Sequence, residues 1–286
     1  MVIPSPKPRY DRIVSLVLLV LLGLAVVFLI DVSPNNIRAL LGGDLPVITV
    51  SWLLIGSLVI ITSTGADVFI RAHPQMQTRQ LPTIRIGTLE IEIAPGFWIL
   101  PSLAIITPFA FFRLFSASLQ MVAAIVALVV AGVMLLTALV GQHYVLDRRP
   151  NIRYKARLVL QSMTFLLAFT GFSAIYYARM RTLYSAALVG TMGVLLAYAL
   201  LQWTPPRQGL FVLACVIGLM LAEATWALNY WSASFLLGGV LLLVVFYITS
   251  GLVQHQLEGT LSRHVLWEYG LLGSGLLFAV IIAAFR

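Results

Sequence analysis

Ionisable side chains are rare in the apolar parts of this sequence, and each one there is a candidate for chemistry because burying a charge in hydrocarbon is costly. Glu223 lies deepest, about 20 Å along a predicted helix from Leu210 at 1.5 Å per residue. Arg113 and Arg179 lie at comparable heights, near the ends of two other apolar runs. Three interpretations stay open: an ion pair that joins helices, a proton or cation site at Glu223, or side chains that extend to the membrane surface.

A second group of polar residues lies where apolar runs meet charged loops, at a shared predicted depth. Its members are Asp67, His143, His255, His264 and Glu268. We predict a polar cluster at the inner mouth of a helical bundle, with the histidines hydrogen-bonded to loops or water. An alternative is that His143 and His255, on different helices, ligate a b-type haem, since membrane haems can be held by paired histidines.

Motifs for other chemistry are not found in the sequence. No predicted helix supplies a Glu-x-x-His pair, and there is no P-loop, no G-x-G-x-x-G, no H-E-x-x-H and no G-x-S-x-G. The single cysteine, Cys215, excludes an internal disulfide and a site with several cysteines. We therefore predict no catalytic residue, no metal and no cofactor, with haem b as the alternative.

The composition is that of a membrane protein. Hydrophobic residues make up 60% and charged residues 10% of the 286 residues, and the mean hydropathy is +1.00, whereas soluble domains carry about 25% charge. The net charge of +8 comes from basic residues in short loops, which the positive-inside rule explains without nucleic acid.

We predict one all-α membrane domain over residues 1–286, a bundle of about nine transmembrane helices of roughly 18–25 residues each. The first, after a basic leader and without a cleavage pattern, is predicted to be a retained signal anchor. The predicted spans are Ile13–Ile30, Val47–Phe69, Phe97–Phe115, Leu119–Leu139, Leu158–Ala178, Leu183–Trp203, Leu210–Leu228, Phe235–Val253 and Val265–Phe285.

The basic residues predict the orientation. Thirteen of the 18 Lys and Arg residues fall in loops on one side, which is therefore predicted to be cytoplasmic, with the N-terminus in and the C-terminus out. Residues 142–157 form the most basic of these loops. If the ninth span lay on the membrane surface instead, the C-terminus would stay inside.

Residues 71–96 are the longest stretch outside the predicted spans. Isoleucines at 84, 86, 91 and 93 alternate with charged residues around Gly87-Thr88, a pattern that predicts a short cytoplasmic β-hairpin between the second and third helices. Because an isolated hairpin is marginal in water, we expect it to rest on helix ends or on a partner.

Small residues at helical spacing predict close helix packing. The fourth span carries Ala123, Ala127 and Ala131, and the sixth carries Ala186 and Gly190. Gly270 and Ser274 offer the same spacing in the ninth.

Several sequence segments resemble a family of uncharacterised bacterial multi-pass membrane proteins. They are Gly87–Glu90, Phe97–Pro101, Leu221–Ala224, Gln254–His255 and Arg263–Gly270. The resemblance implies a polytopic architecture and a bacterial source, and it transfers no catalytic residue. We predict that the protein lies in the bacterial cytoplasmic membrane.

Three hypotheses for function remain. The first is a non-enzymatic accessory or scaffold subunit, or a self-associating bundle, whose partners are lipid and other membrane subunits or itself. The second is a transporter for a small or lipid-like solute that uses Glu223 and the inner cluster. The third is a membrane redox or haem-binding subunit.

Overall fold

The computed structural model describes residues 9–32, 38–39, 48–77, 83–86, 89–92, 95–112, 120–178, 180–204, 209–231 and 234–284. The first helices are α1 (Tyr10–Val32), α2 (Val50–Arg71), the short α3 (Pro74–Gln77), α4 (Pro95–Phe112) and α5 (Gln120–Val145). They are followed by α6 (Pro150–Tyr177), α7 (Thr182–Leu201), α8 (Leu210–Leu228), α9 (Phe235–Glu258) and α10 (Arg263–Ala284).

The chain divides into two compact units, Met1–Met163 and Thr164–Arg286, with α6 crossing the boundary. In the first unit, α1, α2, α4 and α5 share one apolar core. Leu24, Ile55, Ile105 and Leu135 are almost fully buried there, and Phe109 contacts the rings of both Phe28 and Trp52.

In the second unit, small residues form the closest contact between two helices. Within it, α7 and α8 form the most extensive helix pair. Gly190 of α7 lies against Gly218 and Ala222 of α8, and Gly193 lies against Gly218 and Leu221. The two backbones therefore approach each other closely.

The predicted count of nine spans is higher than the count among the described residues. Among the described residues, seven helices are long and apolar enough to cross a membrane. In α4 the apolar stretch Gly96–Phe111 is about 24 Å long, short of the roughly 30 Å of hydrocarbon. In α10 the first turns carry Arg263, His264 and Glu268, which shortens its apolar part.

The predicted hairpin also needs correction, because it is not an element of the packed fold. Thr83–Ile86 (β3) pairs antiparallel with Leu89–Glu92 (β4), as Arg38–Ala39 (β1) does with Ile48–Thr49 (β2). Within the described ranges, however, no helix makes more than a marginal contact with β3 or β4. A two-stranded ribbon of this length is marginally stable by itself. The packed part of the fold is therefore helical, as in a multi-pass membrane protein.

The predicted basic loop is mostly helical. The helix α5 continues to Val145 and α6 begins at Pro150, so Arg153, Lys155 and Arg157 lie in the first two turns of α6. Proline is favoured at the first helical position, where its missing N–H would have no partner. The backbone N–H of Arg149 donates to Asp147 Oδ1 at 2.9 Å, which fixes the turn before this helix.

Candidate functional site

Glu223 lies on an exposed face of α8, in the second unit. One turn before it on that face lie Leu219 and Met220, 60% and 45% exposed, and one turn after it lies Trp226, 51% exposed. Among the residues that the structure describes, no Lys or Arg lies within ion-pair distance of Glu223. Arg113 and Arg179 lie outside the described residues, so their pairing with Glu223 stays a prediction.

The residues of the predicted inner cluster are divided between the two units. Asp67 and His143 belong to the first unit, whereas His255, His264 and Glu268 belong to the second. Their assembly into one cluster stays a prediction, as does haem ligation by His143 and His255.

Asp67 joins two helices. Its two carboxylate oxygens accept hydrogen bonds from Arg71 Nε, one turn later in α2, and from Trp98 Nε1 of α4, the latter at 3.2 Å. Because the guanidinium and the indole both hold the carboxylate, it links α2 to the start of α4. This geometry is that of a structural ion pair.

His143 is half-buried and its ring meets the ring of His73 edge-on, with centroids 4.8 Å apart. His73 lies in the turn between α2 and α3 and is only 4% exposed. The backbone N–H of Gln75 donates to His73 Nδ1 at 3.2 Å. Neutral His73 therefore carries its proton on Nε2, since Nδ1 acts as acceptor.

Other polar groups surround this histidine pair at the same end of the first unit. Tyr144, next to His143, shares a hydrogen bond of 2.6 Å with the hydroxyl of Tyr10 on α1. Gln142 is fully buried and its Nε2 donates to the carbonyl of Phe97 at 3.1 Å. Gln142 Oε1 is buried without a hydrogen-bond partner in the described part of the chain. This end of the unit thus couples α1, α4 and α5 through polar contacts.

The electrostatics of the pair favour neutral His73. Burial lowers the pKa of His73, the nearby His143 lowers it further, and Asp147 opposes both. The described residues include no group of three or more His, Cys, Asp or Glu side chains placed to hold a metal. The arrangement therefore keeps His73 neutral in the folded chain, and its protonation as the pH falls would oppose folding.

We expect this arrangement to make the stability of the first unit depend on pH. The unfolded chain protonates His73 near its ordinary pKa of about 6.5, whereas the folded chain resists protonation. Stability is therefore full above about pH 6.5 and falls as the pH drops below that value. Thermal unfolding of the detergent-solubilised protein between about pH 7.5 and pH 5.5 measures this loss.

His73→Gln should reduce this pH dependence, because glutamine does not titrate. His264→Gln, which removes an exposed histidine of α10, is the matched control and should keep the wild-type slope. Identical slopes for His73→Gln and the wild type would show that His73 is not the group responsible.

The second unit holds its predicted residues in a different way. His255 Nδ1 lies 2.9 Å from Thr260 Oγ1, at the C-terminal end of α9, and its ring contacts Tyr269 of α10. Gly259 caps the C-terminal end of α9, and its φ of +71° suits glycine. His264 and Glu268 are exposed on α10. His255 therefore bonds to the turn that follows its helix.

At the histidine pair, sequence reasoning missed three buried polar residues: His73, Gln142 as a buried group, and Asp147, which is 3% exposed. A histidine directly before proline at the end of an apolar run and an aspartate three residues before Pro150 were the available signals. Both read as ordinary turn residues.

The comparisons with known proteins give a family and add no activity. No curated protein and no solved structure matches the chain. A family described as "Protein of unknown function (DUF5656)" matches residues 32–283, nearly the whole chain. The chain therefore belongs to the DUF5656 family of proteins of unknown function.

Proposed function

We propose that this multi-pass protein is a non-enzymatic accessory or scaffold subunit of a bacterial cytoplasmic membrane, and that it associates with a second membrane helix through the exposed face of α8. The observation that carries the proposal is the position of Glu223, a carboxylate on an exposed apolar face of a membrane-spanning helix. Ionisable residues in such helices almost always face protein or a water-filled cavity. A protein neighbour would give Glu223 that environment.

The rest of this face explains why the carboxylate matters most. Phe211, Val212, Val216 and Leu219 are all 48–64% exposed, and lipid satisfies such side chains as well as protein does. Exposed apolar surface alone therefore contributes little free energy to helix association. An unpaired charge costs on the order of 3 kcal/mol at the centre of a membrane helix and less toward its ends. Glu223 lies five residues before the end of α8, so a donor on a partner helix offsets a part of that cost.

The chemistry of Glu223 defines the partner. A helix that presents Arg, Lys or a neutral hydrogen-bond donor at the depth of Glu223 would fit the α8 face. A second copy of this chain fits if one of the two Glu223 carboxyls is protonated and donates to the other. Both forms of the proposal require a carboxyl or amide at position 223.

We expect Glu223→Leu to reduce the association constant of the purified protein roughly tenfold, which corresponds to the 1–2 kcal/mol of a hydrogen bond between membrane helices. Glu223→Gln, which keeps a polar group, should lose less. Glu268→Gln, which changes an exposed carboxylate on α10, is the control. The measurement is particle mass by light scattering in several mild detergents, with capture of partners by pull-down from the native membrane.

The same variants separate association from the alternative of transport. A coupling role for Glu223 requires a titrating carboxyl, so Glu223→Gln would abolish flux through reconstituted vesicles and leave assembly unchanged. A wild-type protein that is monomeric and without partners in every detergent would contradict the proposal, as would unchanged assembly of Glu223→Leu.

A further inference from the structure

The helices α1 and α2 leave a groove between them in the first unit, with a volume of about 440 Å³. We call it the α1–α2 groove; its lining includes Arg12, Leu16, Ile60, Ile61, Gly65 and Phe69. Gly65 contributes no side chain, and a Cβ there would lie 2.6 Å from Leu16 Cδ2. The close approach of the helices at this point forms the floor of the groove.

The α2 side of the groove presents an apolar surface. Its one hydroxyl, that of Thr64, donates to the carbonyl of Ile60 in its own helix at 2.8 Å. From Ile60 to Phe69 the groove extends about 14 Å at 1.5 Å per residue, close to half of the roughly 30 Å hydrocarbon thickness. It therefore matches an apolar chain that crosses one leaflet.

A cation lies at one end of this apolar channel. Leu16 lies opposite Gly65, and Gly23 lies opposite Leu58, so the helices run antiparallel with a fixed register. That register places Arg12 level with Phe69, near the end of α2. Arg12 is exposed, and within the described ranges no carboxylate lies within ion-pair distance of it.

We propose that the α1–α2 groove binds an anionic phospholipid, with one acyl chain along the groove and the phosphate on the Arg12 guanidinium. Guanidinium groups pair with phosphate through two parallel hydrogen bonds. A helix is a poor occupant, since a cylinder 10 Å wide and 14 Å long fills roughly 1,100 Å³, more than the volume of the groove. The groove shares no residue with the α8 face. A test of one proposal therefore leaves the other unaffected.

The test is native mass spectrometry of the full-length protein with phosphatidylglycerol and phosphatidylcholine of identical acyl chains. We expect a preference for phosphatidylglycerol that falls roughly fivefold in Arg12→Gln, the contribution of one basic residue near a charged membrane surface. Arg9→Gln is the matched control, because Arg9 is also exposed, lies one turn earlier and does not line the groove.

A second variant tests the groove itself. Thr64→Phe places a ring in the channel and should reduce retention of both lipids, while Arg12→Gln reduces only the preference between them. Equal effects of Arg9→Gln and Arg12→Gln would indicate diffuse surface charge and overturn the proposal. Unchanged lipid retention in Thr64→Phe would also overturn it, and circular dichroism confirms that each variant is folded.

Discussion

Replacement of Gly218 by leucine is expected to force α7 and α8 apart and to destabilise the second unit by roughly 3 kcal/mol or more, the upper end of the range for overpacked cores. A Cβ at position 218 would lie 2.6 Å from the carbonyl oxygen of Gly190 and 3.1 Å from the backbone nitrogen of Val194. Backbone atoms cannot rotate away as a side chain can. The substitution therefore requires a shift of one whole helix.

The measurement is unfolding of the purified protein by heat or by SDS titration. Gly270→Leu is the matched control, since a Cβ at position 270 in α10 meets nothing within 4 Å. Gly218→Ala should fall between the control and Gly218→Leu. Equal melting temperatures for Gly218→Leu and Gly270→Leu would show that the α7–α8 approach is looser than the structure has it.

The sequence predicts the helix positions because each span needs a long apolar run to cross the lipid. Leu210–Leu228 is both the predicted seventh span and the full extent of α8. The fifth span was predicted from Leu158, but α6 begins eight residues earlier, at Pro150. Hydropathy detects only the part of a helix inside hydrocarbon, whereas the helix itself starts where Pro150 and the Asp147 turn allow it to start.

Small-residue spacing predicted packing where a second helix was available. Ala127 and Ala131 of α5 are buried, as are Ala186 and Gly190 of α7. The same spacing at Gly270 in α10 lies on an exposed face. Spacing shows that a close approach is possible, but the neighbouring helix is decided by the tertiary fold.

The sequence could not predict the contacts between polar residues for the same reason. His73 and His143 are 70 positions apart, and no local pattern joins a turn after α2 to the end of α5. Asp67 was predicted as a member of an inner cluster, yet its partners are Arg71 and Trp98. Depth in the membrane follows from position along a helix, whereas the direction of a side chain around the bundle does not.

The second large effect is expected at Gly239, where α9 contacts α6. A Cβ at position 239 would overlap Ser173 Oγ and would lie 2.9 Å from Ser173 Cβ and 3.1 Å from its Cα. Gly238 beside it packs in the same way on the ring of Tyr176. Ser173 is fully buried and cannot move toward solvent.

Gly239→Ala should therefore lower stability by about 1–3 kcal/mol, even though alanine is favoured over glycine in a helix by about 1 kcal/mol. Gly275→Ala, in an open part of α10, isolates that helix propensity and should be neutral or stabilising. Thermal unfolding of both variants gives the comparison.

A complementary substitution makes the Gly239 prediction specific to one contact. Ser173→Gly removes both Oγ and Cβ, the two nearest atoms, so Gly239→Ala should be better tolerated in the Ser173→Gly background than in the wild type. A coupling free energy of about 1 kcal/mol or more in this double-mutant cycle would assign the loss to the contact between α6 and α9. Strictly additive losses would instead place the strain elsewhere in α9, since Ser173 would then have no share in it.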